Sequence, residues 1–153
     1  MSTWTTQTLV DGTPEDVLEV LSDPAACYRW SPIEFQLQEL DGERLRTGSR
    51  ARVSGRVAGF LVNFEIQVLH AGGGRLRLTA RGPMTLEVEY EAYPAASTPD
   101  TSELWATVTV KGARALSGRL AAASTEALLR AGALNAAVRA IAREVGQRAV
   151  APA

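Results

Sequence analysis

Residues 13–32, TPEDVLEVLSDPAACYRWSP, contain two helix starts in close succession. Thr13 is a typical N-cap, Pro14 suits the first helical position, and the two acids that follow favour the positive end of the helix dipole. Asp23 and Pro24 repeat the signal, so a second short helix is predicted from there to the next Ser-Pro pair. The first helix should turn its aliphatic residues inward, namely Val17, Leu18, Val20 and Leu21.

Alternating apolar and polar residues on both sides of this stretch predict β-strands. Residues 2–10 are rich in Thr, Trp and Val and predict a first strand, and the alternation over residues 33–112 fits five or six more. In residues 60–68 the even positions are apolar and most odd positions are polar, which predicts one buried and one wet face. The predicted inner residues here are Phe60, Val62, Phe64, Ile66 and Val68.

Two later strands carry complementary charges on their outer face. The odd positions of residues 75–81 hold Arg75, Arg77 and Arg81, and those of residues 86–91 hold only Glu. Arg and Glu can share one face of a hairpin only if the loop has an odd length, which predicts a loop of Gly82, Pro83 and Met84. The inner residues of these strands and of residues 103–111 are then Leu76, Leu78, Ala80, Leu86, Val88, Tyr90, Leu104, Ala106, Val108 and Val110. Trp105 is an outward anomaly.

The segment from Ala115 to Gly146 predicts one long helix, because Ala, Leu, Arg and Glu dominate and Pro is absent until Pro152. An apolar stripe recurs at steps of three and four residues. Its members are Leu116, Leu120, Ala123, Ala127, Ala131, Leu134, Val138, Ile141 and Val145. Because the middle of the stripe holds only Ala, this part either packs very close to the sheet or leaves a cavity there.

Composition excludes several classes of protein. With 46% hydrophobic and 22% charged residues the chain is of globular type, and no apolar run is long enough to span a bilayer. The 16 basic and 17 acidic residues balance, which argues against nucleic acid as a partner. Residues 1–10 lack a signal-peptide pattern and the single Cys27 has no disulfide partner, so a cytoplasmic location is expected.

Candidate motifs for metal or nucleotide chemistry are weak. The triplet Gly72–Gly74 lies between two strands and has no Lys or Ser at P-loop spacing, so it predicts a hairpin turn. His70 is the only histidine, which leaves neither a metal site nor a catalytic triad in recognisable spacing. Cys27 is expected to pack as a small apolar residue. We therefore expect no metal and no cofactor.

Three aromatic residues are candidates for a ligand site. Tyr28 and Trp30 precede Pro32, where they either cap a cavity or fill the edge of the core. Tyr90 is the one polar side chain on the predicted inner face after residue 60. Its hydroxyl either orients a ligand or donates to a backbone carbonyl.

The sequence resembles the START-related SRPBCC superfamily over nearly the whole chain. The resemblance includes the predicted order of elements, which is one strand, two short helices, six strands and a long helix, with the 13–32 stretch after the first strand. The resemblance rests on the Pro, Glu, Val and Leu pattern followed by Asp23, Pro24 and Trp30. It implies an α+β helix-grip fold, in which an antiparallel sheet of about seven strands curls around the C-terminal helix. One domain is expected over residues 1–153, with a core of about residues 2–146 and a short tail.

In that superfamily the space between sheet and helix is the ligand site, and the fold also serves polyketide cyclases and dehydratases. We therefore expect a binding or carrier protein for an apolar small molecule such as a lipid, isoprenoid or polyketide-like aromatic. The alternatives are a cyclase or dehydratase type of enzyme, with Tyr90, Tyr28 or His70 as acid or base, and a protein-interaction module using the sheet or Trp105. The expected pocket lining is Trp30, Phe60, Val62, Phe64, Ile66, Leu78, Leu86, Val88, Tyr90, Val108, Val110, Leu120, Ala123, Ala127 and Ala131.

Overall fold

The protein is described by a computed structural model over residues 2–31, 34–57, 59–96, 100–113 and 115–150. Within this part of the chain, seven strands and four helices occur. In chain order they are β1 Ser2–Asp11, α1 Pro14–Ser22, α2 Pro24–Trp30, β2 Phe35–Leu40, β3 Arg50–Val57, β4 Phe60–Gly72, β5 Arg75–Arg81, β6 Thr85–Pro94, β7 Thr101–Lys111, α3 Ala115–Arg130 and α4 Ala133–Val150.

The two short helices begin where the capping residues predict. At α1 the Thr13 hydroxyl accepts a hydrogen bond from the Asp16 backbone at 3.2 Å, and the Asp16 carboxylate accepts one from the Thr13 backbone at 2.9 Å. At α2 the Asp23 carboxylate accepts a hydrogen bond from the Ala25 backbone at 3.0 Å. Each of these bonds satisfies a backbone donor that the helix itself leaves unpaired. Of the predicted inward residues of α1, Val17, Val20 and Leu21 are fully buried.

The seven strands form one antiparallel sheet in the order β1-β7-β6-β5-β4-β3-β2. Register shifts in β2 and β4 mark β-bulges, which bend the strands and help the sheet to curve. The β4–β5 turn is formed by Gly73 and Gly74, both with positive φ, as the hairpin interpretation of the glycine triplet requires. The sequence PAASTPDTS at residues 94–102 predicts a polar loop between two strands, and residues 97–99 of it lie outside the described part.

The predicted β5–β6 hairpin is confirmed in register and loop length. Arg75 pairs with Glu91 and Arg77 with Glu89, and residues 82–84 form the loop. Arg75 makes ion pairs of 2.8 Å with Glu89 and 3.2 Å with Glu91 across the outer face. Trp105, on β7, is on the outer face as predicted and is partly exposed.

The prediction of one long C-terminal helix is wrong in one respect, because the helix is interrupted between α3 and α4. Gly132 has a φ of 98°, a left-handed conformation that ends α3 and that glycine adopts without steric strain. The α4 part of the predicted stripe is confirmed: Leu134, Val138, Ile141 and Val145 are buried against the sheet and the short helices.

The α3 part of the stripe faces the opposite way from the prediction. Its members Leu116, Leu120, Ala123, Ala127 and Ala131 are exposed. The buried residues of α3 are instead small ones, Gly118, Ala121, Ala122 and Thr125, and Leu129 near its end is partly buried against the core. A Cβ placed on Gly118 would lie 2.4 Å from the Pro83 carbonyl oxygen. Since α3 approaches the β5–β6 loop this closely at Gly118, only small side chains fit on its inner face beside that loop.

Candidate ligand-binding site

A cavity of about 260 Å³ lies between the inner face of strands β2–β6 and the helices. Alternate residues of each strand point into it because side chains alternate across a sheet. Every lining side chain is uncharged. The lining consists of Leu21, Pro24, Cys27, Trp30, Ser31, Phe35, Leu37, Leu40, Leu45, Ala51, Val53, Gly55, Val62, Phe64, Ile66, Leu76, Leu78, Ala80, Met84, Leu86, Val88, Tyr90 and Thr125.

A second, wider groove of about 620 Å³ runs along strands β2–β5. Its lining mixes charges of both signs, including Arg52 and Glu65, which form an ion pair at 3.7 Å. Such side chains remain hydrated and offer little apolar surface. The smaller cavity is therefore the better candidate site for an apolar ligand.

The structure brings eight of the predicted pocket residues together around the smaller cavity. These are Trp30, Val62, Phe64, Ile66, Leu78, Leu86, Val88 and Tyr90. The cavity wall does not include Val108 and Val110, which are buried in the core instead. The side chain of Phe60 lies outside the described part. The inward direction predicted for Leu120, Ala123, Ala127 and Ala131 is wrong, because the first three on α3 and Ala131 directly after it are exposed to solvent.

Tyr90 is a largely buried polar residue of the cavity wall. It is 5% exposed, and none of the hydrogen bonds found among the described residues involves its hydroxyl. Burial raises the pKa of this hydroxyl, and the nearby Cys27 raises it further. Tyr90 therefore keeps its proton and is able to donate a hydrogen bond.

Cys27 and Trp30 of α2 flank Tyr90. The indole ring of Trp30 meets the Tyr90 ring edge-on, with ring centroids 5.7 Å apart. The buried Nε1 of Trp30 has no hydrogen-bond partner within the described residues. The Cys27 thiol donates to the Leu21 carbonyl at 3.5 Å, and burial raises its pKa to about 12. A thiol in this state is not a nucleophile at neutral pH.

The fold has many counterparts among solved structures. The Zhui aromatase/cyclase from a Streptomyces species has a TM-score of 0.72 and 18% identity, covering 98% of this chain and 96% of its own. A START superfamily protein from Mycobacterium smegmatis has a TM-score of 0.67 and 16% identity, covering 95% and 97%. Norcoclaurine synthase from Thalictrum flavum, in complex with dopamine and hydroxybenzaldehyde, has a TM-score of 0.66 and 14% identity, and the match covers 95% of this chain and 87% of its own.

The chain shares the helix-grip fold with these structures. At these identities the likeness concerns the fold alone. No protein-family profile matches the sequence, and no curated protein matches it either.

The smaller cavity of about 260 Å³, here called the helix-grip cavity, includes residues that the sequence interpretation missed. Strands β2 and β3 contribute Phe35, Leu37, Ala51 and Val53, and the α1–α2 region contributes Leu21, Pro24 and Cys27. The signal in β2 was present as the alternation FQLQEL at residues 35–40, the same pattern that identified the inner residues of β4.

Two weak catalytic candidates lie outside the helix-grip cavity lining. His70 is exposed on β4, and its Nε2 is 3.1 Å from the Gly72 carbonyl oxygen. Tyr28 is exposed, stacks on Phe35 with ring centroids 4.7 Å apart, and accepts a hydrogen bond from the Leu37 backbone at 2.9 Å. Tyr28 therefore holds β2, which forms one wall of the cavity.

The described ranges contain neither a cluster of metal-binding side chains nor a helix able to cross a membrane. In them no three His, Cys, Asp or Glu side chains come together as a metal-binding group. None of the helices they contain has the length and apolar character needed to cross a membrane.

Proposed function

We propose that this protein binds an uncharged, mainly apolar small molecule in the helix-grip cavity and acts as its carrier. The proposal treats residues 1–153 as one ligand-binding domain. The observation that carries it is the cavity of about 260 Å³, whose walls are uncharged and almost entirely apolar. The side chains around an empty apolar cavity make fewer van der Waals contacts than those in a filled core. A ligand of matching shape supplies these contacts and buries its own apolar surface, which favours binding.

The cavity volume limits the size of the ligand. A cavity of roughly 150 Å³ lined by aliphatic and aromatic residues is large enough for benzene. The 260 Å³ here fits a molecule of one or two rings, or a short branched chain. The single-ring compounds dopamine and hydroxybenzaldehyde in the norcoclaurine synthase structure are of this class. Of the ligands expected from the sequence, this favours small isoprenoid or aromatic molecules over long-chain lipids.

The chemistry of the wall favours binding over acid–base catalysis. General acid–base catalysis needs groups with a pKa near the working pH, within hydrogen-bond reach of the substrate. The titratable groups lining the cavity are Cys27 and Tyr90, and burial raises the pKa of both away from neutrality.

Thermal unfolding in the presence of tetralin, an uncharged two-ring hydrocarbon, tests the proposal. Free tetralin at about tenfold its dissociation constant should stabilise the native protein by about 1.4 kcal/mol, which raises Tm by roughly 3 to 6 °C for a domain of this size. The four-ring hydrocarbon pyrene is the size control and should leave Tm unchanged. A Tm that tetralin does not move, at concentrations up to its solubility, would contradict the proposal.

A natural ligand should also remain with the purified protein. Mass spectrometry of an organic extract should then show one uncharged compound in stoichiometric amount, of one or two rings or equivalent bulk. A tightly held charged compound would be incompatible with the proposal, because the uncharged wall cannot compensate the loss of its hydration.

A further inference from the structure

The hydroxyl of Tyr90 is one of the few polar groups in the mainly apolar cavity wall. A hydroxyl that a bound ligand shields from water without pairing with it is unfavourable by as much as a lost hydrogen bond. Tyr90 lies on the inner face of β6, paired with Leu76 of β5 and Ala106 of β7. No hydrogen bond among the described residues uses its hydroxyl, although the side chain lines the cavity. A ligand in the cavity is therefore in position to supply the partner.

The neighbouring polar groups indicate what kind of partner is missing. The indole N–H of Trp30 is only a donor, and the Cys27 thiol already donates to Leu21. The Thr125 hydroxyl on the opposite wall is likewise engaged, because it donates to the Ala121 carbonyl at 2.9 Å. The cavity offers no carboxylate to receive a proton from a ligand. The Trp30 N–H and the Tyr90 O–H are thus two donors that no described residue engages, and an acceptor on the ligand would pair with either of them.

We propose that the site selects uncharged molecules of one or two rings that carry a carbonyl oxygen, and that Tyr90 is the specificity-determining residue because its hydroxyl donates to that oxygen. This inference rests on the proposed binding function. A carbonyl is the acceptor that fits, because it adds no charge and has no proton of its own to place. A hydrocarbon of the same size would fill the cavity but leave the Tyr90 hydroxyl desolvated and unpaired.

The test uses two ligands that differ in one oxygen and two variants that differ in position. Dissociation constants of 1-tetralone and tetralin are measured by titration calorimetry for the unmodified protein, Tyr90→Phe and Tyr93→Phe. Tyr93 is the matched control, because this exposed tyrosine follows on the same strand and is absent from the cavity lining. Tyr90→Phe should weaken 1-tetralone binding by about five- to tenfold. Tetralin binding should stay equal or become tighter, and Tyr93→Phe should change neither.

The outcomes separate the specificity from the binding function. If both ligands bind but Tyr90→Phe shifts them by the same factor, or shifts neither, the carbonyl inference is overturned while the carrier proposal stands. If neither ligand binds the unmodified protein, both are overturned.

A spectroscopic measurement keeps the inference testable even if Tyr90→Phe does not fold. The infrared carbonyl stretch of 1-tetralone bound to the unmodified protein should lie below its frequency in cyclohexane, as for a hydrogen-bonded ketone. In Tyr90→Phe it should return to the cyclohexane value. A cyclohexane-like frequency in the unmodified protein, or an equal shift in both proteins, would overturn the donation from Tyr90.

Discussion

Enlarging Ala80 to leucine tests whether the cavity is a true void in the native protein. Ala80 is 6% exposed, lies on β5 and points into the cavity between its cross-strand partners Ile66 and Leu86. Leucine adds three carbon atoms, each worth about 0.8 kcal/mol when buried without strain, so filling the void should stabilise the protein by up to about 2 kcal/mol. If the space were already packed, overpacking would destabilise it by about 1 to 3 kcal/mol instead.

The assay is urea unfolding of Ala80→Leu, together with tetralin binding. We expect an unfolding free energy equal to or above that of the parent, and a clear loss of tetralin affinity because the leucine occupies ligand space. Ala127→Leu is the matched control: Ala127 is exposed on α3, so the same change there should alter stability by less than about 0.5 kcal/mol and leave binding intact. Destabilisation of Ala80→Leu by more than about 1 kcal/mol, or unchanged tetralin affinity, would refute the placement of the cavity.

Two further predictions concern the elements around the cavity. Ile141→Ala on α4 should lower the free energy of unfolding in urea by about 2 to 5 kcal/mol, because Ile141 is fully buried. Leu116→Ala on the exposed face of α3 is the control and should have little effect. Equal losses of stability would contradict the different orientations of the two helices. Burial opposes ionisation of Asp23, but hydrogen bonds from Arg148 and the Ala25 backbone hold its pKa below the ordinary 3.8. The Asp23 carboxylate should therefore stabilise the folded protein above about pH 4, and this contribution should be lost as the pH falls through the lowered pKa. The free energy of unfolding, measured from pH 2 to 6, should fall less steeply with decreasing pH in Asp23→Asn than in the parent.

The fold was largely predictable because its main signals are local. The helix starts at Thr13 and Asp23 are decided by side chains that bond to backbone groups two or three residues away. The register of β5 against β6 follows from the period of two and from the positions of Arg75 and Glu91, which fix the parity of the loop. Such features need no knowledge of the rest of the molecule.

The site was predictable only where a strand supplies it. Ile66 and Val88 follow from alternation, whereas the orientation of α3 depends on how closely Gly118 approaches Pro83, a contact between distant parts of the chain. An Ala-rich helix has apolar residues on several faces, so its periodicity does not specify which face is buried. The hydrogen-bonding state of Tyr90, left open by the sequence, likewise depends on which groups surround it in space.

The interruption at Gly132 gives the two halves of the C-terminal segment unequal resistance to local opening. The helix α4 is anchored by the fully or almost fully buried side chains Leu134 and Ile141, while the buried contacts of α3 come from small residues such as Ala121 and Ala122 and from the partly buried Leu129. Detaching α3 exposes far less apolar surface than unfolding the whole domain, and the left-handed glycine lets it detach without pulling on α4. Amide protons of α3 should therefore exchange with solvent deuterium by a subglobal route, and those at the centre of α4 only when the whole domain opens.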